Sequence, residues 1–141
     1  GDLFGIADRI ARERQGGGHP LLRLSRWECD DKGRVCNRDG SDDAIPSMII
    51  LPPSLAHPPR AVWTAGLAEF LRHRHARGSV LASVCVGAFL LAETGLLDGR
   101  QATTHWSYAA LLAERFARVR VDSAKIVIDD GDIVTAAGLM S

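Results

Sequence analysis

The stretch GSVLASVCVGAFLLAETGLLDGRQATTHW, residues 78–106, decides how this chain folds. Within it, Val80–Val84 is a short apolar run with β-branched residues, and a helical pattern from Gly87 to Thr94 follows almost at once. A short apolar run set directly against a helix is typical of a buried parallel strand that leads into its crossover helix. Cys85 is therefore predicted to lie on a tight bend between strand and helix, the geometry of a nucleophile elbow.

The position of Cys85 predicts a reactive thiol. At the N-terminus of a helix, the positive end of the helix dipole favours the thiolate form. The backbone N–H of Val86 would point to where an oxyanion forms, and Gly87 would let backbone or ligand approach closely. These residues alone are equally compatible with a structural cysteine, because a free cysteine often serves only as a small core residue.

Three joined motifs resemble the DJ-1/PfpI superfamily, which is class I glutamine amidotransferase-like. They are VCVGAF at 84–89, GLLDGR at 95–100 and ATTHW at 102–106. The likeness continues through 48–54 and 128–138. These motifs most resemble those of the branch of AraC-type transcriptional regulators. In that branch the domain precedes a DNA-binding helix-turn-helix. Stand-alone isonitrile hydratases are similar too.

The resemblance implies a flavodoxin-like, three-layer α/β sandwich. Its mainly parallel sheet would include strands near Leu21, Ser47 and Val80, with helices on both faces and the site at the carboxyl ends of the strands. The length of 141 residues suits a single domain. In the family, a first strand with an acidic residue facing the cysteine precedes the first helix. We therefore expect residues 1–141 to lack that strand and the C-terminal end of the domain.

Periodicity and turn signals place the remaining elements. Helices are predicted over 2–15, 62–77, 86–94 and 107–116. Strands are predicted over 21–29, 34–37, 47–51, 80–84, 101–103, 118–121, 125–129 and 132–136. The turn signal Asp130-Gly131 joins the last two strands as a hairpin.

The resemblance also implies a site around Cys85. In the family the Thr-Thr-His segment returns beside the cysteine, so His105 would serve as its base. A histidine at the start of a helix is also compatible with a capping or structural role, and the geometry decides between them. The same resemblance implies a small-molecule pocket over the thiol, with binding residues Ser54, Val86, Gly87, Thr104 and Trp106.

Two departures from the family pattern limit the chemistry. Val86 stands where the protease-like members place a histidine next to the nucleophile, so peptidase activity is not expected. Pro53 replaces the first glycine of a Pro-Gly-Gly loop and has no N–H to donate, whereas Ser54 keeps one. The family's acidic partner is missing, and neither Asp98 nor Asp122 is assigned to that role.

Composition excludes several classes of function. The chain has 17 Lys and Arg against 17 Asp and Glu, so no net positive charge draws it to nucleic acid, and DNA contact would need another segment. Three cysteines with no short pairing indicate a reducing compartment, and Cys29 and Cys36 lack zinc-site spacing. No apolar run is long enough to span a bilayer. We expect a cytoplasmic protein without metal or cofactor.

The preferred hypothesis is a ligand-sensing domain of a transcriptional regulator. An unidentified small molecule over Cys85 would bias the orientation of a fused DNA-binding segment. Family members commonly pair, so the resemblance also implies a homodimer. The alternative is a cysteine-dependent enzyme of the isonitrile hydratase type that acts on a small carbon–nitrogen substrate. A third, weaker hypothesis is a redox sensor in which Cys85 is oxidised to a sulfenic or sulfinic acid.

Overall fold

The computed structural model describes residues 2–20, 22–30, 32–39, 44–53 and 65–138. Within these ranges the helices are α1 (Asp2–Arg14), α2 (Ala65–Ala76), α3 (Gly87–Glu93) and α4 (Trp106–Arg115). The strands are β1 (Trp27–Cys29), β2 (Val35–Asn37), β3 (Met48–Leu51), β4 (Val80–Val84), β5 (Gln101–Ala102), β6 (Arg120–Val121), β7 (Val127–Asp129) and β8 (Ile133–Ala136). Contacts divide the chain into two compact units, Gly1–Glu28 with Cys36–Asp42 and Cys29–Val35 with Asp43–Ser141.

In the first unit, α1 confirms the helix predicted near the start of the chain. The Asp8 side chain on this helix is buried and forms an ion pair of 3.1 Å with Arg12, one turn along. The same carboxylate accepts a hydrogen bond of 2.8 Å from the backbone N–H of Leu22. A buried carboxylate needs such partners, so Asp8 joins the helix to the segment that follows its glycine-rich end.

The strand predicted over 21–29 is wrong for most of its length. Strand β1 is confined to its last three residues and pairs with β2 in a separate two-stranded sheet, so it is not part of the parallel sheet. The backbone N–H groups of Leu22 and Arg26 donate to the carboxylates of Asp8 and Asp39, at 2.8 and 2.6 Å. Carboxylates therefore satisfy the backbone groups that a neighbouring strand would otherwise bind.

The main sheet has the strand order β3–β4–β8–β7. The first three strands are parallel, with Ser83 of β4 level with Leu51 of β3 and Thr135 of β8. Strand β7 is antiparallel to β8, and the predicted hairpin turn at Asp130-Gly131 joins them. The sheet is therefore mixed, and the molecule belongs to the α/β class.

Strands β3, β4 and β8 of the main sheet have their buried residues on one face. Leu51, Leu81 and Ile133 all lie on that face. They belong to a core cluster with Phe89 and other residues of α3. On the opposite side of β3, Met48 is 49% exposed, so the run 47–51 is buried on one face rather than on both. The described part of α2 starts at Ala65, and the predicted start of that helix, 62–64, lies outside the described residues.

A second small sheet carries the segment that follows α3. Strands β5 and β6 are parallel, with Gln101 level with Arg120, and α4 connects them. This confirms the short strands predicted near 101–103 and 118–121. In the described part of the chain, no helix is long and apolar enough to cross a membrane.

Asp132, which immediately precedes β8, connects that strand to α2 and to the start of β5. Its carboxylate accepts hydrogen bonds of 2.6 and 3.0 Å from Arg100, which precedes β5. It also lies 2.7 Å from Nε2 of His75, near the end of α2. The Arg100 guanidinium, followed by the His75 imidazole, holds the pKa of Asp132 well below its usual range.

This contact predicts a loss of stability in acid. A depressed pKa in the folded state means that Asp132 stabilises the fold above its unfolded pKa of about 4, and that this contribution disappears as the pH falls further. Asp132→Asn should lower the urea midpoint at neutral pH and flatten its dependence on pH below about 5. Asp98→Asn is the control, because its ion pair with Arg118 is long, at 3.9 Å, and exposed. Parallel pH curves for the wild type and Asp132→Asn would contradict the prediction.

Candidate functional site

Cys85 follows the last residue of β4 in a strained backbone conformation. Its φ angle is +55°, and among the described residues it is the one non-glycine with positive φ. The left-handed region costs a residue with a Cβ about 1–2 kcal/mol. A strained residue of this kind persists only where surrounding contacts hold it in place, and such residues cluster at functional sites.

Three hydrogen bonds hold the backbone of Cys85. Its N–H donates to the carbonyl of Ala136 at the end of β8, at 2.9 Å. Its carbonyl accepts from the hydroxyl of Thr104 at 2.7 Å and from the N–H of Ala88 in α3 at 3.2 Å. The neighbouring strand, the β5–α4 connection and the following helix therefore all fix the bend.

Gly87 lets the first turn of α3 approach the end of β3. A Cβ atom at this position would lie 2.7 Å from the carbonyl oxygen of Leu51 and 3.2 Å from its Cβ. The first of these distances is too short for a real side chain. Gly87 is therefore required by packing against β3, and its site is buried.

Gly87→Ala is expected to destabilise the protein by about 1–3 kcal/mol, because an inserted methyl group must push apart a helix and a strand. Chemical denaturation would measure the loss. Gly5→Ala is a matched control, since Gly5 also lies inside a helix and nothing stands within 4 Å of the added Cβ. That control should be neutral or stabilising. Equal stability of Gly87→Ala and wild type would show that the helix does not sit against Leu51 in this way.

The two threonines of the ATTHW motif are fully buried. The Thr104 hydroxyl donates to the Cys85 carbonyl. The side chain that was predicted to line a pocket therefore forms a hydrogen bond within the protein. The Thr103 N–H donates to the Thr135 hydroxyl at 3.0 Å, and the Thr103 hydroxyl donates to the carbonyl of Lys125 at 2.7 Å. This segment is thereby tied both to the cysteine bend and to β8.

His105 lies next along the chain and caps α4. Its Nδ1 is 2.7 Å from the hydroxyl of Ser107 and accepts that residue's N–H at 3.3 Å. The ring is stacked obliquely near Trp106, with centroids 5.5 Å apart. In the described part of the chain, the imidazole and the Cys85 thiol share no hydrogen bond. With Nδ1 in the cap, Nε2 is the atom left to act on a ligand.

The other predicted site residues differ widely in exposure. Trp106 is 63% exposed, Val86 is 2% exposed, and the Cys85 residue is half-buried. Ser54 lies outside the described residues. The structure thus brings Cys85, Val86, Gly87 and Thr104 into one packed bend, with His105 and Trp106 at the surface beside it in the chain.

Gly138 is a neighbour of the cysteine to which the sequence analysis gave no role. A Cβ built at Gly138 would lie 3.6 Å from the Cβ of Cys85, so the chain leaving β8 passes beside the thiol-bearing residue. Its φ angle is +113°, a conformation that favours glycine. A glycine two residues after the predicted strand 132–136 was the available signal for this close approach.

Comparisons with known proteins identify the family of this chain. Residues 41–141 match the sequence profile of the DJ-1/PfpI family. The chain belongs to the DJ-1/PfpI family. A solved structure of DJ-1beta from Drosophila melanogaster superimposes with a TM-score of 0.60 at 19% identity, covering 97% of this chain and 75% of that one. This likeness supports the DJ-1/PfpI fold.

Two curated relatives of this DJ-1/PfpI chain differ in the activity for which they are named. The HTH-type transcriptional regulator CdhR from Pseudomonas aeruginosa is 31% identical over 109 residues, which cover 77% of this chain and 32% of CdhR. Isonitrile hydratase from Pseudomonas putida is 38% identical over 71 residues, which cover 50% of this chain and 30% of the enzyme. The chain thus spans less than a third of either relative.

Proposed function

We propose that this DJ-1/PfpI chain is the ligand-sensing part of a transcriptional regulator. The observation that carries the proposal is the alignment with the HTH-type regulator CdhR, which extends over 77% of this chain. DNA would be bound by a helix-turn-helix segment outside residues 1–141. The balance of 17 basic and 17 acidic residues fits a part of the protein that senses rather than one that binds DNA.

The proposed site is the strained bend at Cys85, acting as a nucleophile elbow in a flavodoxin-like, three-layer fold. A small molecule would contact the half-buried cysteine, the exposed Trp106 and Nε2 of His105. Ser54 lies outside the described residues and remains a predicted binding residue. Val86, Gly87 and Thr104 would shape the site from below, since all three are buried.

The packing of the bend supports a route for the signal. The Thr104 hydroxyl links the Cys85 carbonyl to the start of α4, and the Cys85 N–H links it to the end of β8. A ligand that favours one arrangement of the bend would therefore favour one arrangement of α4 and β8. By linkage, a ligand shifts such an equilibrium only through its differential affinity for the two states.

The alternative is an enzyme of the isonitrile hydratase type. It is favoured by the strained Cys85, since a φ angle of +55° is the kind of strain found at reactive residues. In that function Cys85 would attack a small carbon–nitrogen substrate and His105 would transfer protons. Val86 in place of a histidine after the nucleophile still counts against a peptidase.

Ligand binding by the full-length protein tests the two functions. A panel of small amines, carboxylates and isonitriles would be screened by thermal unfolding for the wild type, Cys85→Ser and Trp106→Ala. For a sensor, one compound raises the melting temperature of wild type and of Cys85→Ser but not of Trp106→Ala, without turnover. Isonitrile hydration by the wild type that is lost in Cys85→Ser would instead establish the enzyme.

We further propose that the protein acts in the cytoplasm as a homodimer. Sedimentation equilibrium would test whether the dimer forms.

A further inference from the structure

A cleft lies among residues that are not part of the Cys85 bend. It has a volume of about 320 Å³, and the residues that line it include Arg100, Gln101, Arg120, Lys125, Asp129 and Asp130. None of these residues belongs to the candidate site around the cysteine. A cleft of this size is large enough for a small polar ligand.

The two acidic residues of the cleft already have partners within the fold. Asp129 accepts a hydrogen bond of 2.9 Å from the N–H of Gly131 in the β7–β8 turn. Asp130 forms an ion pair of 3.0 Å with Arg100. Arg100 uses its remaining contacts on Asp132, at 2.6 and 3.0 Å. Arg100 thus offsets part of this negative charge, and the lining as a whole carries three cations against two carboxylates.

The two remaining cations of the cleft differ from Arg100 in that they form no ion pair among the described residues. Within the described ranges, neither Arg120 nor Lys125 has a carboxylate at ion-pairing distance. The Arg120 guanidinium donates to the carbonyl of Gly99 at 2.9 Å, which leaves other N–H groups available. The backbone of Lys125 is held by the buried Thr103 hydroxyl at 2.7 Å. Arg120 and Lys125 are therefore two cations of the cleft lining that have no carboxylate partner in the described part of the chain.

We propose that this cleft binds a small oxyanion, a phosphate or carboxylate group, through Arg120 and Lys125. A guanidinium presents parallel N–H donors that match two oxygens of such a group, and an ammonium adds a point charge. Gln101 also lines the cleft, and its side-chain amide has two N–H groups that can donate. This site is independent of the proposed sensing function, because it shares no residue with the cysteine bend.

The test is a calorimetric titration of the full-length protein with inorganic phosphate, and separately with succinate. The ionic strength is kept constant. Saturable binding is expected for at least one of the two, and the responding probe identifies the preferred group. Arg120→Ala and Lys125→Ala should each weaken it about tenfold, the typical effect of losing a hydrogen bond to a charged group. Lys125→Arg should retain most of the affinity.

Arg118→Ala is the matched control, because Arg118 is exposed, carries the same charge and lies outside the cleft lining. This variant should bind the anion like the wild type. Equal weakening by Arg118→Ala would mean that net surface charge, not the cleft, attracts the anion. That result, or binding that fails to saturate with either probe, would overturn the proposal. Unchanged unfolding midpoints without anion would show that all variants are folded.

Discussion

Phe89→Ala should destabilise the protein by about 3–5 kcal/mol, the usual cost of removing a buried aromatic ring. Phe89 is 1% exposed and lies on α3, one turn from the cysteine bend. Its ring meets those of Tyr108 and Phe116 edge-on, each at a centroid distance of 6.4 Å. The ring thus connects α3 to α4, and its removal leaves a cavity between the two helices that frame the site.

Urea denaturation of the purified protein would measure this loss. Phe89→Leu is the control, since leucine refills most of the volume and should cost less than the alanine substitution. A second expectation concerns Arg115, whose guanidinium lies 5.6 Å from the centre of the Phe89 ring. Because the residue is exposed, Arg115→Ala should cost less than about 1 kcal/mol. A cost below 1 kcal/mol for Phe89→Ala itself would contradict the packing described here.

Thr104→Val is expected to reduce both stability and thiol reactivity. Valine keeps the shape but removes the hydroxyl that donates to the Cys85 carbonyl at 2.7 Å, and the loss of a buried hydrogen bond costs about 1–3 kcal/mol. Because that bond helps to hold the strained conformation of Cys85, the thiol should also lose its fixed position. The rate of Cys85 alkylation by iodoacetamide would report this second effect.

Thr104→Ser keeps the hydroxyl and should restore the alkylation rate. Thr103→Val is the comparison at the adjacent position, since its hydroxyl donates to Lys125 and not to the cysteine bend. Cys29 and Cys36 are both exposed, so they are replaced by serine in every variant before the rate is measured. An alkylation rate in Thr104→Val equal to that of the wild type would show that the hydroxyl has no positioning role.

The elements nearest the cysteine could be predicted because local sequence specifies them. The apolar run Val80–Val84, the glycine at position 87 and the turn Asp130-Gly131 each act within a few residues, and the strand, helix and hairpin that they predict are all present. The tight bend at Cys85 also followed from the short distance in sequence between strand and helix. The positive φ angle of Cys85 was not part of that prediction.

The failures have a common physical cause, which is the role of partners far away in sequence. The predicted strand over 21–29 did not take account of the carboxylates of Asp8 and Asp39, which bind its backbone N–H groups. The bond from Thr104 to Cys85 joins residues 19 positions apart, so no local pattern indicates it. His105 was predicted as a base from the family resemblance, and whether it acts on the thiol stays a prediction.

We propose that residues 1–141 belong to a regulator that binds DNA through another part of the protein. The most direct test is a gel-shift titration of the full-length native gene product, and of residues 1–141 alone, with duplex DNA from upstream of its own gene. We expect the full-length protein to bind this DNA in preference to a scrambled duplex, whereas residues 1–141 alone should not bind it. Full-length protein that shows no specific DNA binding, yet hydrates an isonitrile only when Cys85 is intact, would contradict it.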